Sequence, residues 1–206
     1  LGRAMKSDRA NQTSAGLIKV FLHVRRGEYD KALATVDELL ARQPGNPMML
    51  NLRGVVYLNS RDFPKASEAF EAALKASPDF VPALYNLGML AQQRGDIAAA
   101  AARYEQVLAI NPNEVNALLG KADLALMQGQ LEPALAPLLK AVTADPTNVD
   151  AHVRLISVYL NLGNTIEAQR QAETLVAQEI GDAVAAATGG DLSQRIPLEG
   201  KNEFFT

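Results

Sequence analysis

Proline recurs at 44, 78, 112 and 146, each 34 residues after the one before. No other feature constrains the fold as tightly, because two further columns keep the same phase. Alanine stands at 32, 66, 100, 134 and 168, and glycine at 27, 95, 129 and 163, with Arg61 in the vacant glycine slot. The columns define five units without an insertion: 13–46, 47–80, 81–114, 115–148 and 149–182, the last losing the pattern after Gln178. A fixed period of this length marks a supersecondary unit that cannot bury its apolar face alone and must stack on its neighbours.

Each unit reads as helix, turn, helix. In the third, Leu84, Leu87, Gly88 and Ala91 fall at helical spacing, and QQRGD then breaks the pattern. Gly95 suits the left-handed conformation that ends a helix. A second helix carries Ala100, Tyr104, Val107 and Leu108 on one face; Pro112 stops it, and Asn113 or Glu114 favours the next start. In the second unit, Asp62 and Pro64 flank the start of the second helix, where proline loses no hydrogen bond. Pro137, inside the second helix of the fourth unit, is expected to kink it or loosen its first turn. Within the run Ala98–Ala102, only Ala100 sits in the repeating column, where two helices cross closely. Ala101 reads as half-buried, and Ala98, Ala99 and Ala102 as facing solvent.

These residues resemble the tetratricopeptide repeat, whose unit is also 34 residues long. The small residues expected at the eighth place are Gly54, Gly88 and Ala122; the twentieth is alanine throughout; Ala73 and Ala141 fill the twenty-seventh; and Phe70 and Tyr104 fill the aromatic twenty-fourth. The seventh place departs from the pattern, with Lys19, Arg53 and Lys121 where leucine is usual. The resemblance implies an all-α fold, a right-handed α-solenoid of stacked helix–turn–helix units with a concave inner wall. The wording of residues 26–90, notably QPGNP followed by NLRG and VYL, is similar to the repeat lipoproteins of bacterial exopolysaccharide and PEP-CTERM protein-sorting systems. That narrower likeness favours the periplasm or cell envelope; the residues themselves leave a cytoplasmic place open.

Both ends depart from the pattern. Residues 1–12 fit the end of a truncated preceding unit, its second helix, so a longer array is expected. At the other end, 183–206 reads as a capping helix, placed at about Ile180–Thr188, and a loose tail. The words GDLSQRIPLEGKNEFF resemble the HAMP-like linkers of bacterial chemoreceptors.

In tetratricopeptide arrays the first helix of each unit lines the inner wall. Carried onto this chain, the wall takes Leu17 and Phe21 from the first unit, then Asn51, Val55, Leu58 and Asn59 from the second. The third supplies Tyr85, Met89 and Gln92, with Gln93 beside them. The fourth supplies Leu119, Asp123, Leu126 and Met127, with Asn116, and the fifth Val153, with Asp150. This set is rich in aliphatic and amide groups and poor in charge. It lacks the lysine, asparagine and arginine that clamp a C-terminal carboxylate in the best-known grooves of the family. An apolar or amphipathic protein segment suits it better, read through aliphatic, methionine and tyrosine contacts. The same residues also read as half-buried stacking contacts.

Chemistry is hard to find in the chain. Its two histidines, His23 and His152, occupy packing slots, and there is no cysteine, so neither a zinc site nor a nucleophilic set is expected. Glu68 and Glu71 read as a solvated helix face. The formal charge of −3 and the scatter of Lys and Arg argue against a nucleic-acid surface. No apolar run approaches the roughly 20 residues of a membrane-spanning helix. The expectation is a non-enzymatic protein–protein interaction scaffold without cofactor or metal, contacting neither nucleic acid nor the bilayer directly. A regulatory module coupled to the HAMP-like tail and the accessory domain of a glycosyltransferase are the alternatives.

Overall fold

The structure, a computed structural model, describes residues 2–187, with side chains described over 13–178. It places ten helices among them, two per unit. These are α1 (Gly2–Arg25) and α2 (Tyr29–Arg42), α3 (Pro47–Asn59) and α4 (Phe63–Ala76), α5 (Val81–Gln93) and α6 (Ile97–Ile110), α7 (Val115–Met127) and α8 (Leu131–Ala144), and α9 (Val149–Asn161) and α10 (Thr165–Ala187). Each helix packs mainly on the ones before and after it, as a solenoid requires, and α5 also touches α7. No described helix is long and apolar enough to cross a membrane.

The turns follow the glycine column. Gly27, Gly95, Gly129 and Gly163 have φ between +71° and +76°, and Arg61, in the same slot, has φ +62°. Each closes a helix C-terminus: in the second unit the Asp62 amide donates to the Tyr57 carbonyl at 2.9 Å, and in the third Asp96 does the same to Ala91 at 2.9 Å. Side chains then start the next helix. Asp62 accepts from the Lys65 amide (3.2 Å), Asp96 from Ala99 (3.0 Å) and Asn148 from Ala151 (2.9 Å). The expected cap at Glu114 differs: its side chain bonds no backbone amide of the helix but accepts from the Asn111 and Asn116 side-chain amides at 3.0 and 3.4 Å, and Asn111 Oδ1 accepts from the Asn113 amide at 3.2 Å.

The alanine column is the crossing point of each pair. Ala32, Ala66, Ala100 and Ala134 are fully buried and Ala168 nearly so. Ala101 is half-buried, and Ala98, Ala99 and Ala102 are exposed, as the register requires. The aromatic slot is filled against glycine: a Cβ on Gly54 would fall 2.4 Å from the Phe70 ring. Pro137 sits within α8, which runs unbroken from Leu131 to Ala144.

The terminal helices correct two expectations. α1 passes through residue 12 without a turn, so residues 1–12 are not set off as the end of another unit. α10 passes through 178, so Ile180–Thr188 is not a separate capping helix; its first part is the continuation of α10. One cause serves both. The slots in phase with the prolines hold Ala10 and Ile180, and nothing removes the backbone donor that would stop the helix there. The HAMP-like words, from 188 onward, lie outside the described residues.

Two of the three charged seventh places, Arg53 and Lys121, find partners within the chain. Arg53 bonds Asp37, and Lys121 bonds Glu105 at 3.1 Å, in each case the residue 16 positions earlier, at the twenty-fifth place of the preceding unit. These two departures from leucine are thus ion pairs across the joint between units. Glu71, expected to be solvated, is half-buried and accepts from Arg103 Nη2 at 2.6 Å, whereas Glu68 is exposed.

Candidate functional site

The first helices of units two to five line an open depression of about 430 Å³. Of the wall residues expected from sequence, it gathers Leu58, Tyr85, Met89, Gln92, Leu119 and Asp123, with Gln93, Asn116 and Asp150 beside them. Its floor is aromatic. The Tyr85 and Tyr104 rings lie 5.9 Å apart at an interplanar angle of 38°. Tyr104 is buried between two glycines: a Cβ on either Gly88 or Gly120 would come within 2.6 Å of its ring. Its hydroxyl reaches the depression and donates to Gln92 Oε1 at 2.7 Å. Burial, then the nearby Tyr85 and Asp123, pushes the Tyr104 phenol above its ordinary value. Burial first and Asp123 next do the same to Tyr85. Both remain protonated hydrogen-bond donors at neutral pH.

Among the described residues one cation faces the depression, and it is held. Arg154 donates to Asp123 from Nη1 and to Asp150 at 2.9–3.0 Å from Nη2 and Nε. Burial lowers its pKa, but the bonds to Asp150 and then Asp123 outweigh this and leave it raised. Two carboxylates against one guanidinium leave this group of three with a net charge of −1.

The other expected wall residues are spread along the first helices. Asn51 is tied to the next unit, accepting from Asn86 Nδ2 at 3.0 Å, and the Asn59 amide bonds the Val55 carbonyl of its own helix at 2.8 Å. Leu17 and Val55 are half-buried, and Leu126 packs on the core around Leu118 and Leu138. Phe21 is exposed, with the Arg25 guanidinium 5.9 Å from its ring centre. Met127 and Val153 stand open. Leu119 differs from expectation: it is 7% exposed and belongs to the core with Ala122 and Leu155, showing only an edge to the depression.

Sequence reading missed four contributors, Leu90, Tyr104, Gly120 and Arg154. The Asp150–Arg154 spacing of four on one helix was a visible signal for the last. His152 is buried, with Nε2 3.0 Å from the Pro146 carbonyl oxygen, and so anchors α9 to the turn before it. His23 Nδ1 lies 2.6 Å from Glu28 Oε2 across the first turn. Among the described residues no three His, Asp or Glu side chains gather closely enough to hold a metal ion. A second depression, on the second-helix side, is lined by Leu74, Pro78 and Ile110 around the Arg103–Glu71 pair.

Stacked helix pairs with small residues at the crossings and an open first-helix face define a repeat protein of the scaffold type. The chain belongs to the tetratricopeptide repeat family, whose sequence model matches residues 22–79, 56–95 and 85–149, more than half its length. Among solved structures, MamA from Desulfovibrio magneticus RS-1 aligns over 82% of this chain and 96% of its own, with 22% identity and a TM-score of 0.65. Pseudomonas aeruginosa PilF aligns over 89% and 87%, with 13% identity and a TM-score of 0.72. At these identities the likeness shows the fold. Two curated relatives share shorter stretches. The tetratricopeptide repeat and J domain-containing co-chaperone DNJ1 of Fusarium oxysporum is 36% identical over 79 residues, 38% of this chain and 15% of its own length. The photosystem I assembly protein Ycf3 of Acaryochloris marina is 32% identical over 72 residues, 34% of this chain and 43% of its own. This chain therefore spans less than half of either relative.

Proposed function

We propose that the chain is a non-catalytic scaffold that holds an apolar or amphipathic segment of a partner protein against the Tyr85–Met89 depression. The observation that carries this reading is the make-up of the depression. Aliphatic, thioether, aromatic and amide groups face outward on neighbouring first helices, and the one cation is already held by Asp123 and Asp150. A C-terminal carboxylate would meet net negative charge there, while an aliphatic side chain would meet Leu58, Met89 and the Tyr85 ring. The names of the two curated relatives, a co-chaperone and an assembly protein, describe work done on other proteins, which agrees with this reading. We further propose a place in the bacterial envelope, in polysaccharide export or protein sorting; the support for it is the wording of residues 26–90 alone.

Panning a random twelve-residue peptide library against the full chain tests the site. Enriched sequences should carry aliphatic or aromatic residues at helical spacing, and Tyr85→Ala with Met89→Ala should abolish their capture while the circular-dichroism spectrum keeps its helical form. Equal recovery on the double variant would place binding elsewhere on the array.

A further inference from the structure

The inner joints of the array show what covers each face of a unit. Positions three and ten of a first helix join the same cores as the preceding second helix: Val56 with Val36, Leu90 with Phe70 and Leu74, Val158 with Leu138. In units two to five these positions are buried throughout. In the first unit they are Ala15, exposed, and Leu22, 42% exposed, with Ile18 beside them at 60%. The opposite end shows the complementary face. Position twenty-eight of a second helix is Leu74 in unit two, 9% exposed; its counterpart in α10 is Val176, 53% exposed.

Charge follows the same rule. Each inner joint with a cation at place seven sets it against a carboxylate 16 positions earlier, as in Arg53 with Asp37 and Lys121 with Glu105. Lys19 is the place-seven cation of the first unit, and Glu173 the place-twenty-five carboxylate of the last. A sixth unit would put its seventh residue at 189, which is 16 after Glu173 and in phase with Lys19.

We infer that the chain stacks head to tail on a second copy of itself, the α1 face of one molecule covering the α10 face of the next, with Lys19 against Glu173. Successive helices joined by short turns pack antiparallel, so in the stacked pair the end of α10 lies beside the start of the next copy's α1. The contact is heterologous, so it propagates unless one face is blocked.

Sedimentation velocity on the full chain, from micromolar to millimolar concentration, tests this independently of the groove. The chain should form species that grow with concentration beyond a dimer. Leu22→Glu blocks the leading face and Val176→Glu the trailing one, so each variant alone should be monomeric. Their equimolar mixture should form a dimer and nothing larger, because each contributes one intact face. Lys19→Glu should weaken association, and Lys19→Glu combined with Glu173→Lys in one chain should recover it. Circular dichroism checks that every variant remains helical. A wild-type chain that stays monomeric throughout, either single variant that still associates, a mixture that stays monomeric, or a double charge reversal that recovers nothing would each overturn the inference.

Discussion

Gly120 lies flat against the ring of Tyr104, so that a Cβ at 120 would fall 2.6 Å from ring carbons Cε2 and Cζ. Gly88 closes the other side at 2.6 Å from Cε1, and the ring therefore cannot move away. Gly120→Ala should cost about 1–3 kcal/mol, the usual range for overpacking a filled core. Tyr104→Phe keeps the ring and loses one hydrogen bond to Gln92, at about 1 kcal/mol. Urea unfolding midpoints check the order. If Tyr104→Phe proved the more damaging change, the hydroxyl rather than the fit of the ring would hold this joint.

Ala100 and Ala99 are neighbours in sequence with opposite surroundings, one fully buried at the crossing of α5 and α6 and the other exposed. Ala100→Leu should lower stability by about 1–3 kcal/mol. Ala99→Glu should stay within about 0.5 kcal/mol of the parent, as a surface change does. Thermal melts of the two variants side by side measure the difference. Equal effects would mean that α6 is rotated about its axis, with position 100 no longer at the crossing.

The left-handed turn at Arg61 gives a change in the other direction. A residue with a Cβ pays about 1–2 kcal/mol in that conformation, which glycine avoids. Glycine gives back about 0.5–1 kcal/mol through its freer unfolded chain. Arg61→Gly should therefore stabilise the chain by up to about 1.5 kcal/mol and raise its melting temperature, while Gly95→Ala should lower it. A fall on Arg61→Gly would show that the arginine side chain contributes more than its backbone costs.

The turns and the alanine crossings were legible in the sequence because each favours one residue type, glycine to turn and alanine to let helices meet, with Arg61 the exception in a glycine slot. The wall residues that gather in the depression were legible through the family resemblance, which assigns first helices to the inner wall, though Leu119 shows it only an edge. Contacts between units were not. Gly120 reads as one more small residue until the Tyr104 ring of the preceding unit is placed on it. Lys121 and Arg53 read as departures from leucine until Glu105 and Asp37 are placed opposite. Arg154 was missed because it stands at the sixth place, off the expected wall, and reaches the depression only by extending to Asp123 on α7. The terminal helices run on where Ala10 and Ile180 replace the stopping proline. A proline missing from its column shows where a helix can continue, but not that the flanking residues will continue it.

Three turn carboxylates are held in the charged form by their partners. Hydrogen bonds from His23, then Lys31, hold Glu28 below its ordinary value of 4.5. Lys65 holds Asp62 below 3.8, and Thr147 does the same for Asp145. A folded-state pKa below the unfolded one means that the folded chain binds fewer protons. The stabilisation is then complete above the unfolded values and is lost as pH falls through the folded ones. The melting temperature should hold steady from pH 7 to about 5 and begin to fall below about 4.5. Replacing all three, as Glu28→Gln, Asp62→Asn and Asp145→Asn, should lower the melting temperature at pH 7 and flatten the acid decline. A decline of undiminished steepness in the triple variant would assign the acid response to other carboxylates, with the bridges from Asp123 and Asp150 to Arg154 the next to test.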